Sequence, residues 1–154
     1  MLSRCLRAGT LLSLCLLAAE QPIPYSHKTH VGSGLKCNGC HAMPGKGEAA
    51  TFPSESLCMG CHASVKRDSP SIQKLAGFAK DKKPIPWVRI YRLPDYVWFS
   101  HKVHVRTAAC ETCHGAVGER SVLANEKPIT MASCMACHDE VEAPNECNTC
   151  HNPN

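Results

Sequence analysis

The architecture of this chain follows from residues 99–114, which read FSHKVHVRTAACETCH. An aromatic residue and a serine precede two histidines three positions apart, His101 and His104. Cys110 to His114 then form the pattern C-x-x-C-H. Three histidines and two thiols therefore fall within one short stretch, which predicts metal or cofactor chemistry at this place.

The C-x-x-C-H pattern occurs five times along the 154 residues. It is the attachment signature of c-type haem, because two thiols at this spacing can each form a thioether with one porphyrin vinyl group. The histidine that follows supplies an axial nitrogen to the iron. The cysteines are Cys37, Cys40, Cys58, Cys61, Cys110, Cys113, Cys134, Cys137, Cys147 and Cys150, and the proximal histidines are His41, His62, His114, His138 and His151. We therefore expect five covalently bound haem c groups.

Three other uses of these cysteines compete with haem attachment. Disulfides fit an exported chain with an even number of cysteines, but they give no reason for a histidine after every second one. Structural zinc needs four ligands and does not require the trailing histidines. A thioredoxin-like dithiol needs a single C-x-x-C in an α/β frame, and the sequence shows no such frame.

Four histidines remain once the five proximal ones are set aside, and all four belong to H-x-x-H pairs. His27 and His30 precede the first motif, and His101 and His104 precede the third. Each pair follows a serine and lies six or seven residues before a C-x-x-C-H motif. We interpret the four as distal axial ligands, which gives iron held by two histidines.

The tenth axial ligand is not a histidine, because five irons need ten ligands and the chain has nine His. Met131, three residues before Cys134, is the first choice and Met43 is the second. A different ligand or an open position remains an alternative. A His/Met pair would raise the potential of that haem relative to the others.

Two pseudo-repeats organise the chain. Tyr25-Ser-His-Lys-Thr-His30 corresponds to the start of residues 99–114, and two haem motifs follow in each case. We expect a two-haem half over residues 20–68, a helix and aromatic linker over 69–98, and a three-haem half over 99–154.

The expected fold is a small multihaem cytochrome c, with a few short α-helices and loops around a haem core and little or no sheet. Aromatic residues make up only 5% of the chain, so porphyrins must supply much of the buried apolar surface. Ser69 and Pro70 begin a predicted helix over 70–82. Shorter helices are expected over 55–66 and 132–142, and an extended segment over 87–93.

The first 19 residues have the features of a secretory signal. Arg4 and Arg7 precede an apolar run from Leu11 to Leu17, and Ala18-Ala19 follows as a small-residue cleavage site. A lipoprotein signal with Cys15 as the lipidated residue and a retained membrane anchor are the alternatives. We expect export to the periplasm. The net charge of +4 gives no indication of nucleic-acid binding.

A family resemblance follows from these motifs. The H-x-x-H pairs with closely spaced C-x-x-C-H motifs resemble the class III multihaem cytochromes. Residues 86–101, PWVRIYRLPDYVWFSH, together with Thr130-Met131 before Cys134, resemble the pentahaem subunit of alternative complex III. That resemblance implies an electron-transfer protein without catalytic residues, serving redox protein partners and a membrane quinol-oxidising complex. A soluble shuttle and an enzyme that reduces a small molecule at an open haem remain the alternatives.

Overall fold

The computed structural model describes residues 20–43 and 50–151. Eight short α-helices and one 3₁₀ turn occur in these ranges, and no strand does. The elements are α1 His27–Gly32, α2 Cys37–Cys40, α3 Glu55–His62, α4 Pro70–Asp81, α5 His101–His104, α6 Cys110–His114, the 3₁₀ turn Val117–Glu119, α7 Met131–Glu140 and α8 Cys147–His151. The expected fold class of short helices and loops is confirmed. The predicted signal over residues 1–19 lies outside the described residues.

The helix predicted over 70–82 is α4, and its ends have clear local causes. Pro70 occupies the first turn, where its missing N–H has no intrahelical partner to lose. Lys82 adopts a left-handed conformation with φ of 52°, and its N–H donates to the Ala79 carbonyl. This left-handed cap ends the helix one residue earlier than expected.

The other two predicted helices also end earlier than the sequence suggested. The helix expected over 55–66 ends at His62, because residues 63–66 continue as turns and Lys66 has a φ of 52°. The helix expected over 132–142 runs from Met131 to Glu140, and Glu142 again has a left-handed φ of 53°. Residues 87–93 have no strand assignment in the described structure.

The buried apolar core is very small and lies where the linker over 69–98 packs against the first half of the chain. Among the described residues its members are Ile23, Leu75 and Ile85, each less than 8% exposed. Cys58 and Met59 of α3 pack against this cluster, so α4 covers the helix that bears the second motif. No helix in the described ranges is long and apolar enough to cross a membrane.

Many large apolar side chains remain exposed on the protein surface. They are Val31, Leu35, Phe52, Leu57, Val65, Val88, Tyr96, Trp98, Val103, Val105, Val122, Met131, Met135 and Val141. Because the exposed large apolar residues outnumber the buried ones, the polypeptide alone does not form the usual apolar interior.

Candidate haem-binding sites

Each H-x-x-H pair lies on one turn of helix directly after a serine. Ser26 caps α1, and its Oγ atom accepts a hydrogen bond from the Thr29 N–H at 3.2 Å. Ser100, which is 6% exposed, occupies the same position before α5. Side chains three residues apart lie on the same face of a helix. Each turn therefore presents two imidazoles close together.

An aromatic ring holds each pair of imidazoles in the same way. The Tyr25 ring stacks on His30 at 4.4 Å and meets His27 edge-on at 4.8 Å. Phe99 stacks on His104 at 4.2 Å and meets His101 edge-on at 4.8 Å. The aromatic residue before each serine thus fixes the orientation of both histidines that follow.

Every one of these four histidines faces a proximal histidine of a C-x-x-C-H motif. The separations between ring centroids are 6.3 Å for His27 and His41, 6.1 Å for His30 and His62, 6.3 Å for His101 and His114, and 6.1 Å for His104 and His138. The pairing is the same in both halves. The first histidine of each pair faces the motif that follows directly, and the second faces the next motif.

These separations fit a metal ion held between two imidazoles. Imidazole nitrogens bind metals at about 2 Å, so two rings that share one ion have centroids roughly 6 Å apart. The rings are nearly parallel in the first pair of each half, with interplanar angles of 9° and 3°. The second pairs are tilted by 63° and 37°.

Backbone carbonyls orient most of these rings. The Nδ1 atoms of His30 and His104 lie 2.8 Å from the carbonyl oxygens of Ser26 and Ser100. Proximal histidines use carbonyls from other loops, as in the 2.8 Å contact of His41 Nδ1 with the Thr51 oxygen. A carbonyl bound at Nδ1 places the proton there and leaves Nε2 free to bind a metal.

His27 and His114 occupy the least solvated positions in this arrangement. Burial is the main cause that lowers the pKa of His27 to about 4, and the neighbouring His41 and His30 contribute to this value. Burial, followed by His101 and His41, also lowers the pKa of His114. The Nδ1 atom of His27 is buried without a hydrogen-bond partner. Both rings are therefore kept neutral, which is the state that binds a metal.

The motif cysteines are free thiols placed for covalent attachment. All ten lie in short helices, where positions i and i+3 share a face and the histidine follows at i+4. In the described part of the chain no three His, Cys, Asp or Glu side chains converge as a metal cage. Two imidazoles suffice for haem iron because the porphyrin supplies the remaining four nitrogens. The donor set thus fits haem c at the first four motifs.

The fifth motif differs from the other four. His151 faces Tyr96, with ring centroids 5.9 Å apart and a tilt of 31°, and its Nδ1 atom lies 3.4 Å from the Tyr96 carbonyl oxygen. The Trp98 N–H donates to the Cys150 carbonyl at 2.8 Å. Linker residues therefore hold this motif in place. No pattern in the sequence indicates this role of Tyr96.

The two methionines considered as the tenth ligand both lie in the described structure. Met131 begins α7 and is 65% exposed. Met43 is half-buried in the loop after the first motif. The assignment of Met131 as ligand stays a prediction.

Tyr91 is a further site residue that the sequence did not reveal. Its hydroxyl donates to the His114 carbonyl at 3.2 Å and accepts from the Glu126 N–H at 3.1 Å. Its ring meets the His114 ring edge-on at 4.8 Å. The sequence indicated only an aromatic linker over 69–98, because the loop that carries Glu126 gives no pattern to pair with Tyr91.

Comparison with known proteins supports this chemistry. Residues 97–152 match the family of cytochrome c7 and related cytochromes c. The multiheme cytochrome c subunit of menaquinone reductase from Nitratidesulfovibrio vulgaris (strain Hildenborough) is 37% identical over 97 residues, which are 62% of this chain and 46% of that protein. The high-molecular-weight cytochrome c of the same organism is 27% identical over 161 residues, covering 86% of this chain and 29% of that protein.

The chain is a multihaem c-type cytochrome. Its residues 97–152 form a cytochrome c7-like domain, and the chain is homologous to multihaem cytochrome subunits. Covalent attachment of haem c is implied by this family. The chain spans less than half the length of either curated relative that it matches.

Proposed function

We propose that this chain is a periplasmic pentahaem cytochrome that relays electrons between redox partners. The observation that carries the proposal is the set of four histidine pairs, each with ring centroids 6.1 to 6.3 Å apart. Haem c, when bound, supplies reversible one-electron chemistry. Two facing histidines would hold the haem iron at each of four sites, which would leave no position for a substrate there.

The protein contributes ligation, spacing and burial to this relay. The motif thiols fix each cofactor covalently, so it cannot dissociate from an exported protein. Short helices and loops hold the sites within a small chain, and close spacing favours electron transfer between them. The secretory signal predicted over residues 1–19 supports a periplasmic location.

Two features support membership of a membrane complex that exchanges electrons with quinones, either by oxidising a quinol or by reducing a quinone. Residues 86–101 resemble the pentahaem subunit of alternative complex III, and one relative is a menaquinone reductase subunit. Co-purification with integral membrane proteins after detergent solubilisation would support the complex. Recovery of all the cytochrome in the soluble periplasmic fraction would support a shuttle.

Exposed positive charge beside the second haem site supports a docking face for a redox partner. We define the basic face as Lys66, Lys74, Lys80, Lys82 and Lys83, all exposed on or beside α4, which packs on α3. Asp68 and Asp81 are the acidic residues nearby. The segment from Asp139 to His151 instead has four acids and no lysine or arginine. An acidic redox protein would be attracted to the basic face.

Plant-type ferredoxin, an acidic one-electron carrier, serves as the probe for this docking face. We expect its rate of reducing the cytochrome at low salt to fall about 10-fold in K74E/K80E, because steering by opposite charge is lost. The matched variant K28E/K36E changes the same charge elsewhere. Equal slowing in both variants would contradict a specific basic face.

The main test of the proposal is a mass and a spectrum of the secreted protein. We expect a mass that includes five haem groups and a low-spin ferric spectrum from the four bis-histidine sites. Fewer than five haems would refute the pentahaem assignment.

The second candidate is an enzyme in which one haem iron has a free coordination position. The fifth site favours this candidate. His151 faces Tyr96 where the other proximal histidines face a histidine. If that site were catalytic, part of the ferric spectrum would be high-spin and would change on addition of cyanide or nitrite. A fully low-spin spectrum that these ligands leave unchanged would exclude it.

A further inference from the structure

We propose that the five haem sites form one row in the order second, first, third, fourth, fifth, which is not their order along the chain. This inference rests on the proposed function, because it requires a haem at each motif. The second and fifth sites are then the ends of the row, and the two halves of the chain meet between the first and third sites.

The first two sites are neighbours because they share one turn of α1. His27 faces His41 of the first motif, and His30 faces His62 of the second. Residues three apart on a helix have Cβ atoms about 5–6 Å apart. The third and fourth sites are neighbours for the same reason, since α5 carries both of their distal histidines.

The first and third sites meet where α1 packs against the 3₁₀ turn Val117–Glu119. The Lys28 N–H donates to the Arg120 carbonyl at 2.9 Å. A Cβ atom placed on Gly118 would lie 3.3 Å from the Val31 side chain, so the two segments are in close contact. This turn begins three residues after His114, the proximal histidine of the third site.

The cysteines of the first and third motifs also indicate that these two sites are neighbours. Burial raises the pKa of the Cys110 thiol in the third motif, and the nearby Cys37 thiol of the first motif raises it further. The helix of the second motif packs instead against α4, through Met59 and Leu75. The second site therefore lies at the outer end of the first half.

The fifth site adjoins the fourth through a short closed loop. The Asn145 side-chain amide donates to Asp139 Oδ1 at 2.7 Å and to the Met135 carbonyl at 3.3 Å. Burial raises the pKa of Cys134, and the next causes are Cys113 of the third motif and Cys150 of the fifth. The fourth motif thus lies between the other two.

Redox interactions in the holoprotein test this order. Reduction of one haem lowers the potential of a neighbour by Coulomb repulsion, and the effect falls with distance. NMR of partly reduced protein measures each pairwise interaction, and the variants H27M, H30M, H101M and H104M identify the signals of the first, second, third and fourth haems. The H104M variant is the matched control in the second half.

We expect the second haem to interact strongly with the first haem alone, and the first haem to interact strongly with both the second and the third. A strong interaction between the second and third haems, with a weak one between the first and third, would overturn the order. If a variant fails to assemble, an experimental structure of the unmodified holoprotein gives the iron–iron distances directly. There the first-to-third distance should be shorter than the second-to-third.

The two proposals can fail separately. A protein whose mass lacks five haems would refute the proposed function and this inference together. A protein with five haems and a different order of iron sites would refute this inference alone.

Discussion

Both halves of this chain carry an H-x-x-H pair of histidines, but the polypeptide packing around the haem sites differs between the halves. In the first half, α3 with the second motif packs on α4 around Leu75. In the second half the corresponding helix, α7, has no buried residue, and a fifth motif follows it. Polypeptide packing therefore supports part of the first half, whereas the second half depends on its cofactors for an apolar interior.

Replacing the two cysteines of one haem motif should give the largest difference in stability between the two halves. We expect C134A/C137A to lose the fourth haem and, with it, the folded structure of residues 99–151. Isolated helices this short are not stable in water, and α7 has no protein core to pack on. The measurement is limited proteolysis followed by mass spectrometry, together with a haem count.

The matched variant C58A/C61A removes the thiols of the second motif. We expect it to lose one haem while α4 keeps its protection from proteolysis, because Leu75, Ile23 and Ile85 remain packed. Equal loss of protection in both variants would contradict the difference between the halves.

The core of the first half gives the next largest effect. Leu75 is 4% exposed, and L75A should lower the free energy of unfolding by about 2–4 kcal/mol. Val122 is 65% exposed, and V122A should cost less than about 0.5 kcal/mol. Denaturant titration of both holoproteins measures the difference. A cost below about 1 kcal/mol for L75A would show that the cofactors, and not this core, stabilise the first half.

Tyr91 provides a smaller test in the second half. Y91F removes the hydroxyl that bonds to both the His114 carbonyl and the Glu126 N–H, and we expect a loss of about 1–2 kcal/mol. The NMR signals of the third haem should shift, because the variant loosens its proximal loop. Y96F removes a hydroxyl from a side chain that is 70% exposed and serves as the control. An unchanged third-haem spectrum in Y91F would contradict this positioning role.

The sequence predicted the local features of the fold well. Pro70 and the apolar spacing through Leu75 located α4 to within one residue of its end. The helices expected around the second and fourth haem motifs are α3 and α7. These features depend on residues close in the chain, which is why composition and spacing were enough to find them.

Features that depend on the path of the chain could not be predicted. The spacing of His27 and His30 does not say which motif each one faces, because that depends on how the loops return. The facing of Tyr96 and His151 joins positions 55 residues apart, and nothing in the local pattern marks it. Lys66 and Glu142 end the helical path early with left-handed backbone, a conformation that neither residue type signals.

The smallest predicted effect comes from the chemical difference between Tyr25 and Phe99, the two aromatic residues that stack on the histidine pairs. Tyr25 holds the first histidine pair, and Phe99 holds the second. Burial is the main cause that raises the pKa of Tyr25 to about 12, and the Cys40 and Cys58 thiols contribute to this value. Because the folded pKa exceeds the unfolded value of about 10, this group favours folding fully below pH 10. That contribution is lost as the pH rises from about 10 to about 12.

The variant Y25F tests the role of the Tyr25 hydroxyl, because it gives the first half the same aromatic residue as the second half. Tyr25 is half-buried, so solvent screening reduces the contribution to about 1 kcal/mol. In the wild-type protein, we expect the denaturant midpoint of the first half to fall between pH 10 and pH 12. In Y25F this fall should be reduced, since phenylalanine has no proton to lose. The same loss of stability in both proteins would show that another group titrates. Tyr25 and Phe99 would then be equivalent at alkaline pH.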